Sequence, residues 1–65
     1  MTFGQTLRQA MAERNWDDKE LADQIKRSRT TIWKAKTDRH ISHKTRCLLV
    51  CRFPELREAR VVEHN

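Results

Sequence analysis

The sequence predicts a compact all-α domain of four to five helices, on three observations. The 65 residues include one glycine and one proline, too few to turn a β fold repeatedly back on itself. Apolar residues recur at helical spacing. A Thr, Asp or Ser stands ahead of most of these apolar stretches, where a helix N-cap belongs. A chain of this length makes a single domain, residues 1–65. It buries only about 60% of the surface its unfolded form exposes, so help from a partner, a metal or disulfides is expected.

The first helix starts from Thr2, which with Gln5 has the spacing of a capping box, and it carries Phe3, Leu7, Ala10 and Met11 on one face. It should fade near Asn15, leaving Trp16 to pack on the core. Asp17 and Glu20 give a second capping box, followed by the stripe Leu21, Ala22 and Ile25. Ser28 can accept from the amides of a third helix that runs to about Lys36 and buries Ile32 and Ala35. Ser42 can cap a fourth through "HKTRCLLVCRF", and Pro54 suits the first turn of a short fifth, "PELREAR". The ending "VVEHN" reads equally as a strand, a helix extension or a frayed tail.

Charge is unevenly placed. The net +5 resolves into −2 over residues 1–25, +8 over residues 26–52 and −1 over residues 53–65. In the middle block nine Lys and Arg face Asp38 alone. Such a block suits a polyanion, either nucleic acid or an acidic membrane surface, although a charge run is more often only a solvated face. There is no run of 18 apolar residues and no basic-then-apolar start, so a soluble cytoplasmic protein is expected, with Cys47 and Cys51 as free thiols. No glycine-rich phosphate loop, tyrosine or evident carboxylate pair supports catalysis.

A second helix of eight or nine residues, a turn of about three, and a third helix opening on a serine make a nearly perpendicular pair. The stretch "FGQTLRQAMAERNWDDKELADQIKRSRTTIWKAKTDR", residues 3–39, resembles without a gap the helix-turn-helix domain of phage repressors and Cro proteins, the XRE-type, lambda-repressor-like family. The match rests on Phe3-Gly4, Leu7-Arg8, Glu20-Leu21-Ala22, Ile25, Ser28-Arg29 and Ile32. It places the helix-turn-helix at about residues 17–37 and leaves about 45–65 for dimerisation. Ala22 falls where the family needs a small residue, and Ile25 and Ile32 where it needs core aliphatics. The chain departs from the pattern at the turn: Lys26 replaces a left-handed glycine, costing roughly 1 kcal/mol, and Arg27 replaces Val or Ile. Met11 and Lys36 stand where many members carry an Arg–Glu pair. Asp17 and Asp18 stand where Thr or Gln is commoner; beside DNA they would repel, unless Asp18 orients Arg29 or restricts which DNA is tolerated.

On a wheel of about 100° per residue with Arg29 at zero, Ile32 and Ala35 fall near 300° and 240°, while Trp33, Thr37, Thr30 and Lys34 fall between about 40° and 140°. The latter face is the one a recognition helix lays in the major groove. Arg29 can bind guanine O6 and N7 with two bonds, Lys34 less exactingly, and Thr30 offers a hydroxyl and a methyl. The resemblance separately implies base reading at Ser28, Arg29, Thr30 and Lys34. Trp33 has open alternatives: folding into the core or against the fourth helix, or meeting thymine methyls or the sugar-phosphate wall. It also lies four residues from Arg29, a spacing that allows cation–π stacking. Phosphate contacts are expected from Lys26, Arg27, Arg39, His40 and Lys44, and from the amides opening the second helix.

Cys47, Leu48, Leu49, Val50, Cys51 and Phe53 make the fourth helix apolar almost all round. The surplus points to a symmetric homodimer through Val50, Cys51, Leu56, Val61 and Val62, with two recognition helices about 34 Å apart on a near-palindromic operator. His40, His43, Cys47 and Cys51 lack a usual zinc spacing, so no metal and no cofactor is expected. The resemblance implies a small dimeric repressor that occupies operator DNA in a bacterial or phage-infected cell and regulates its own phage or plasmid operon. Two other classes fit the basic face: a helical interaction module, inhibitor or antitoxin-like, binding an acidic protein, and an RNA-binding protein.

Overall fold

The structure is a computed structural model and describes residues 1–60. Among these residues it is all-helical: α1 (Phe3–Glu13), α2 (Asp18–Ile25), α3 (Arg29–Lys36), α4 (His43–Arg52) and a closing 3₁₀ turn, η1 (Pro54–Glu58). Each α-helix takes the N-cap residue its sequence predicts, but of the two expected capping boxes only Thr2–Gln5 is complete; Asp17–Glu20 forms just the half in which Asp17 accepts. The Thr2 side chain accepts from the Gln5 amide while Gln5 reaches back to the Thr2 amide. Asp17, Ser28 and Ser42 accept from the amides of Glu20, Thr31 and Thr45. Each such cap contributes about 1 kcal/mol by satisfying an amide that the helix itself leaves unpaired.

The ends of α1, α2 and α3 follow one rule without using glycine. Asn15, Lys26 and Asp38 all adopt positive φ, at 57°, 56° and 59°. After each, the next amide reaches back five residues: Trp16 to Met11 at 2.9 Å, Arg27 to Ala22 at 2.9 Å and Arg39 to Lys34 at 2.8 Å. These are Schellman closures, which normally favour glycine at the left-handed position. Asn and Asp tolerate that conformation through short polar side chains; Lys26 has no such excuse and carries the strain expected from its place in the turn.

The chain's one glycine serves a different purpose. Gly4 is buried where α1 meets the end of α3, and a Cβ there would lie 2.5 Å from the Lys36 carbonyl oxygen. Only a hydrogen fits. α1 and α2 both pack on α3, while η1 closes over α1 and α4. Leu7, Leu21, Ile32, Leu49 and Phe53 are fully enclosed at the centre, each contributing roughly 1.5–3 kcal/mol by burial. Trp16 packs its edge on Phe53 with ring centroids 5.6 Å apart. Arg14 covers that ring at 4.8 Å and pairs with Glu55 at 3.1 Å.

Two expectations for the C-terminal part change. Phe53 precedes proline and takes an extended conformation, φ −127° and ψ 87°, because the Pro54 ring excludes the helical one. α4 therefore stops, and the fifth helix is a 3₁₀ turn. That turn folds Leu56 into the core, where it is 2% exposed; it is no dimer-face residue, because the monomer already consumes it. α4 turns Thr45 and Leu49 inward, Leu48 and Val50 lie half-buried at its sides, and Cys47 and Cys51 are exposed. Val61 and Val62 lie outside the described residues. At the other end of the fold, Arg60 runs beside Thr2 in a parallel bridge, with the Phe3 amide donating to the Arg60 carbonyl at 2.6 Å.

Candidate nucleic-acid interface

α2, the turn Lys26-Arg27-Ser28 and α3 form the corner on which the basic block is displayed. α3 divides by burial as its periodicity predicts: Ile32 and Ala35 are buried, whereas Arg29, Thr30, Trp33, Lys34 and Thr37 are exposed. No described residue bonds to the exposed side chains of Arg29 or Lys34. Ser28 is engaged. Its Oγ accepts the Thr31 amide at 3.2 Å and lies 3.0 Å from the Thr31 hydroxyl. Thr37 likewise donates to the Trp33 carbonyl at 2.8 Å.

Trp33 does not enter the core. Its side chain is 46% exposed, and the cation stacked on it is Arg39, 4.9 Å from the ring centroid, rather than Arg29. Six positions apart, these two would never share a helical face. They meet because the left-handed Asp38 ends α3 and swings the chain back past it. On its other side Trp33 lines an open groove of about 460 Å³ between the first turns of α2 and α3, shared with Asp17, Asp18, Lys19, Arg29 and Thr30.

The two acids at the start of α2 have separate work. Asp17 caps α2, its Oδ1 accepting the Glu20 amide at 2.7 Å. Asp18 pairs with Lys36 at 2.6 Å, both side chains partly buried; it does not orient Arg29. Where the resembled family ties its first helix to its third, this chain ties its second helix to its third, and Met11 is simply a core residue.

Arg27, at a position expected to reach phosphate, is half-buried and turned toward α4. Its Nε donates to the Thr45 hydroxyl at 3.4 Å and its guanidinium also donates to the Lys26 carbonyl at 3.2 Å. Thr45 is 4% exposed, the one buried polar side chain of the described residues. A guanidinium–hydroxyl contact thus occupies the place of the aliphatic packing that Val or Ile would make. Lys26, Arg39, His40 and Lys44 are all exposed around the turn, the loop after α3 and the start of α4.

Sequence reasoning missed the roles of Asp38 and Thr45. Asp38 had one signal, its isolation among nine cations; Thr45 had none beyond sitting among apolar neighbours. The thiol of Cys47 lies 3.5 Å from His43 Nε2, and both cysteines are free. Among the described residues no three His, Cys, Asp or Glu side chains gather as a metal would require, and no helix is long and apolar enough to cross a membrane.

No family model, curated protein or solved structure matches the chain.

Proposed function

We propose that the chain is a sequence-specific double-stranded DNA-binding regulator, acting as a dimeric Cro-like repressor of its own phage or plasmid operon. One observation carries this reading: Arg29, Thr30, Trp33 and Lys34 share the exposed face of a capped helix set across α2 by a tight turn. An α-helix with its side chains is about 10–12 Å across, so the major groove, about 12 Å wide, admits the eight-residue α3. Arg29 and Lys34 then meet base edges, with Arg29 suited to guanine by its two parallel donors.

Phosphates are held from both flanks. The first-turn amides of α2 that capping leaves free lie on one side, and Lys26, Arg39, His40 and Lys44 on the other. Arg27, tied to Thr45, contributes mainly by fixing the turn, and Ser28 mainly by capping α3. Val50 and Cys51 supply surface for a second copy, whose recognition helix enters the groove about one helical turn away. Bound across a promoter, such a dimer excludes polymerase.

Selection of bound duplexes from a random pool at about 150 mM salt tests the proposal. Enrichment of a two-fold-symmetric site, with a footprint over half-sites about one turn apart, is the expected result. Binding with no enriched sequence, disappearing as salt rises, would leave only an electrostatic surface and sink the reading.

A further inference from the structure

We infer that Trp33, held in place by Arg39, reads the 5-methyl group of a pyrimidine in the major groove, thymine in unmodified DNA. The inference rests on the DNA-binding reading above and adds to it a chemical target and a positioning residue. A large apolar side chain standing 46% exposed on an otherwise polar, basic helix face loses hydration free energy until something apolar covers it. Among base-pair edges in the major groove, the apolar feature is the thymine methyl.

The surroundings of the ring argue against the sugar-phosphate wall as its partner. The groove it lines is bordered by Asp17 and Asp18 as well as Lys19 and Arg29, so these four formal charges cancel, whereas residues 26–52 together carry +8. A phosphate held at the α2 amides or by the neighbouring cations finds no net positive charge drawing it further in against the ring, whereas an uncharged base edge pays no electrostatic penalty there. Arg39 completes the device. Its guanidinium covers the ring 4.9 Å from the centroid, which restricts the indole before DNA arrives and lowers the ordering cost of a contact. The edge donors of the same guanidinium stay available to phosphate.

The test uses the full chain and the duplex selected above, with each thymine replaced singly by deoxyuridine. At one position in each half-site the wild type should lose about fourfold in affinity, the worth of one buried methyl. Trp33→Ala, whose folding is checked by circular dichroism, should bind more weakly and show no penalty for uracil at that position. Arg39→Gln should shrink the penalty there while leaving other thymine positions unchanged, an effect that mere loss of a phosphate contact would not produce. Indifference of the wild type to every uracil overturns the inference and leaves the repressor reading standing. So does a penalty of equal size in Trp33→Ala. A pool that enriches no site removes the DNA-binding reading and the methyl contact together.

Discussion

Asp38 caps α1 from the far end of α3: its Oδ1 accepts the Gly4 amide at 2.8 Å and its Oδ2 the Thr2 hydroxyl at 2.7 Å. A carboxylate over the positive end of a helix is favourably placed, and this one joins two elements 34 residues apart in sequence. The same residue is the left-handed closure of α3. α3 is therefore anchored at its C-terminal end by the one acid among the nine cations of residues 26–52. Asp38→Asn keeps the shape and the tolerance for positive φ but loses charge and one acceptor. Urea unfolding should show a loss of about 1–2 kcal/mol. An unchanged midpoint would mean that the cap is dispensable.

Gly4 makes that approach possible. With the Lys36 carbonyl only 2.5 Å from an added Cβ and Asp38 Oδ2 2.9 Å away, Gly4→Ala must push α1 off α3. A loss of about 2–3 kcal/mol is expected from overpacking against backbone that cannot yield. A neutral result in thermal melts would show that the two helices can separate freely.

Lys26 gives the opposite expectation. At φ 56° and ψ 48°, Lys26→Gly removes a steric cost of about 1 kcal/mol, offset in part by the greater freedom of glycine when unfolded. The melting temperature should rise by up to about 4–8 °C for a domain of this size. Because Lys26 is exposed, the gain should come without loss of packing. DNA affinity should fall slightly as one flanking cation disappears.

The Asp18–Lys36 pair links α2 to α3 at 2.6 Å with both side chains partly exposed. A double-mutant cycle with Asp18→Asn and Lys36→Met should give a coupling of about 0.5–1 kcal/mol, diminishing as salt is raised. Zero coupling at low salt would leave α2 and α3 held by their buried apolar residues and the turn between them.

On the proposed DNA-binding reading, base reading and phosphate binding separate experimentally. Arg29→Ala should cost about 1–3 kcal/mol at particular base pairs and relax discrimination there. Lys44→Ala should weaken all duplexes alike and reduce the slope of log K against log salt by about one. If Arg29→Ala lowered affinity uniformly, Arg29 would be a phosphate contact and the orientation of α3 would need revision.

Much of the architecture could be read before any coordinates, because helices are specified locally. Thr2, Asp17, Ser28 and Ser42 act within three residues of themselves, and the alternation of Ile32 and Ala35 with Arg29, Trp33 and Lys34 needs only the helical period. The glycine-type position of Lys26 was likewise visible from its place between two helices. Leu56 was misjudged because a one-dimensional surplus of apolar residues does not say which of them the monomer can reach. Phe53 and Pro54 turned the chain so that it could.

Sequence by itself determined the four α-helices, their N-cap residues, the buried stripes and the concentration of charge between residues 26 and 52. Tertiary structure alone decided which polar groups meet: Asp38 with Gly4, Asp18 with Lys36, Arg27 with Thr45, and Arg39 with Trp33. The physical reason is range. Capping and periodicity act over one turn of helix, whereas these pairings depend on three left-handed closures that redirect the chain. No local propensity specifies which groups those redirections bring within 2.6 to 4.9 Å of one another.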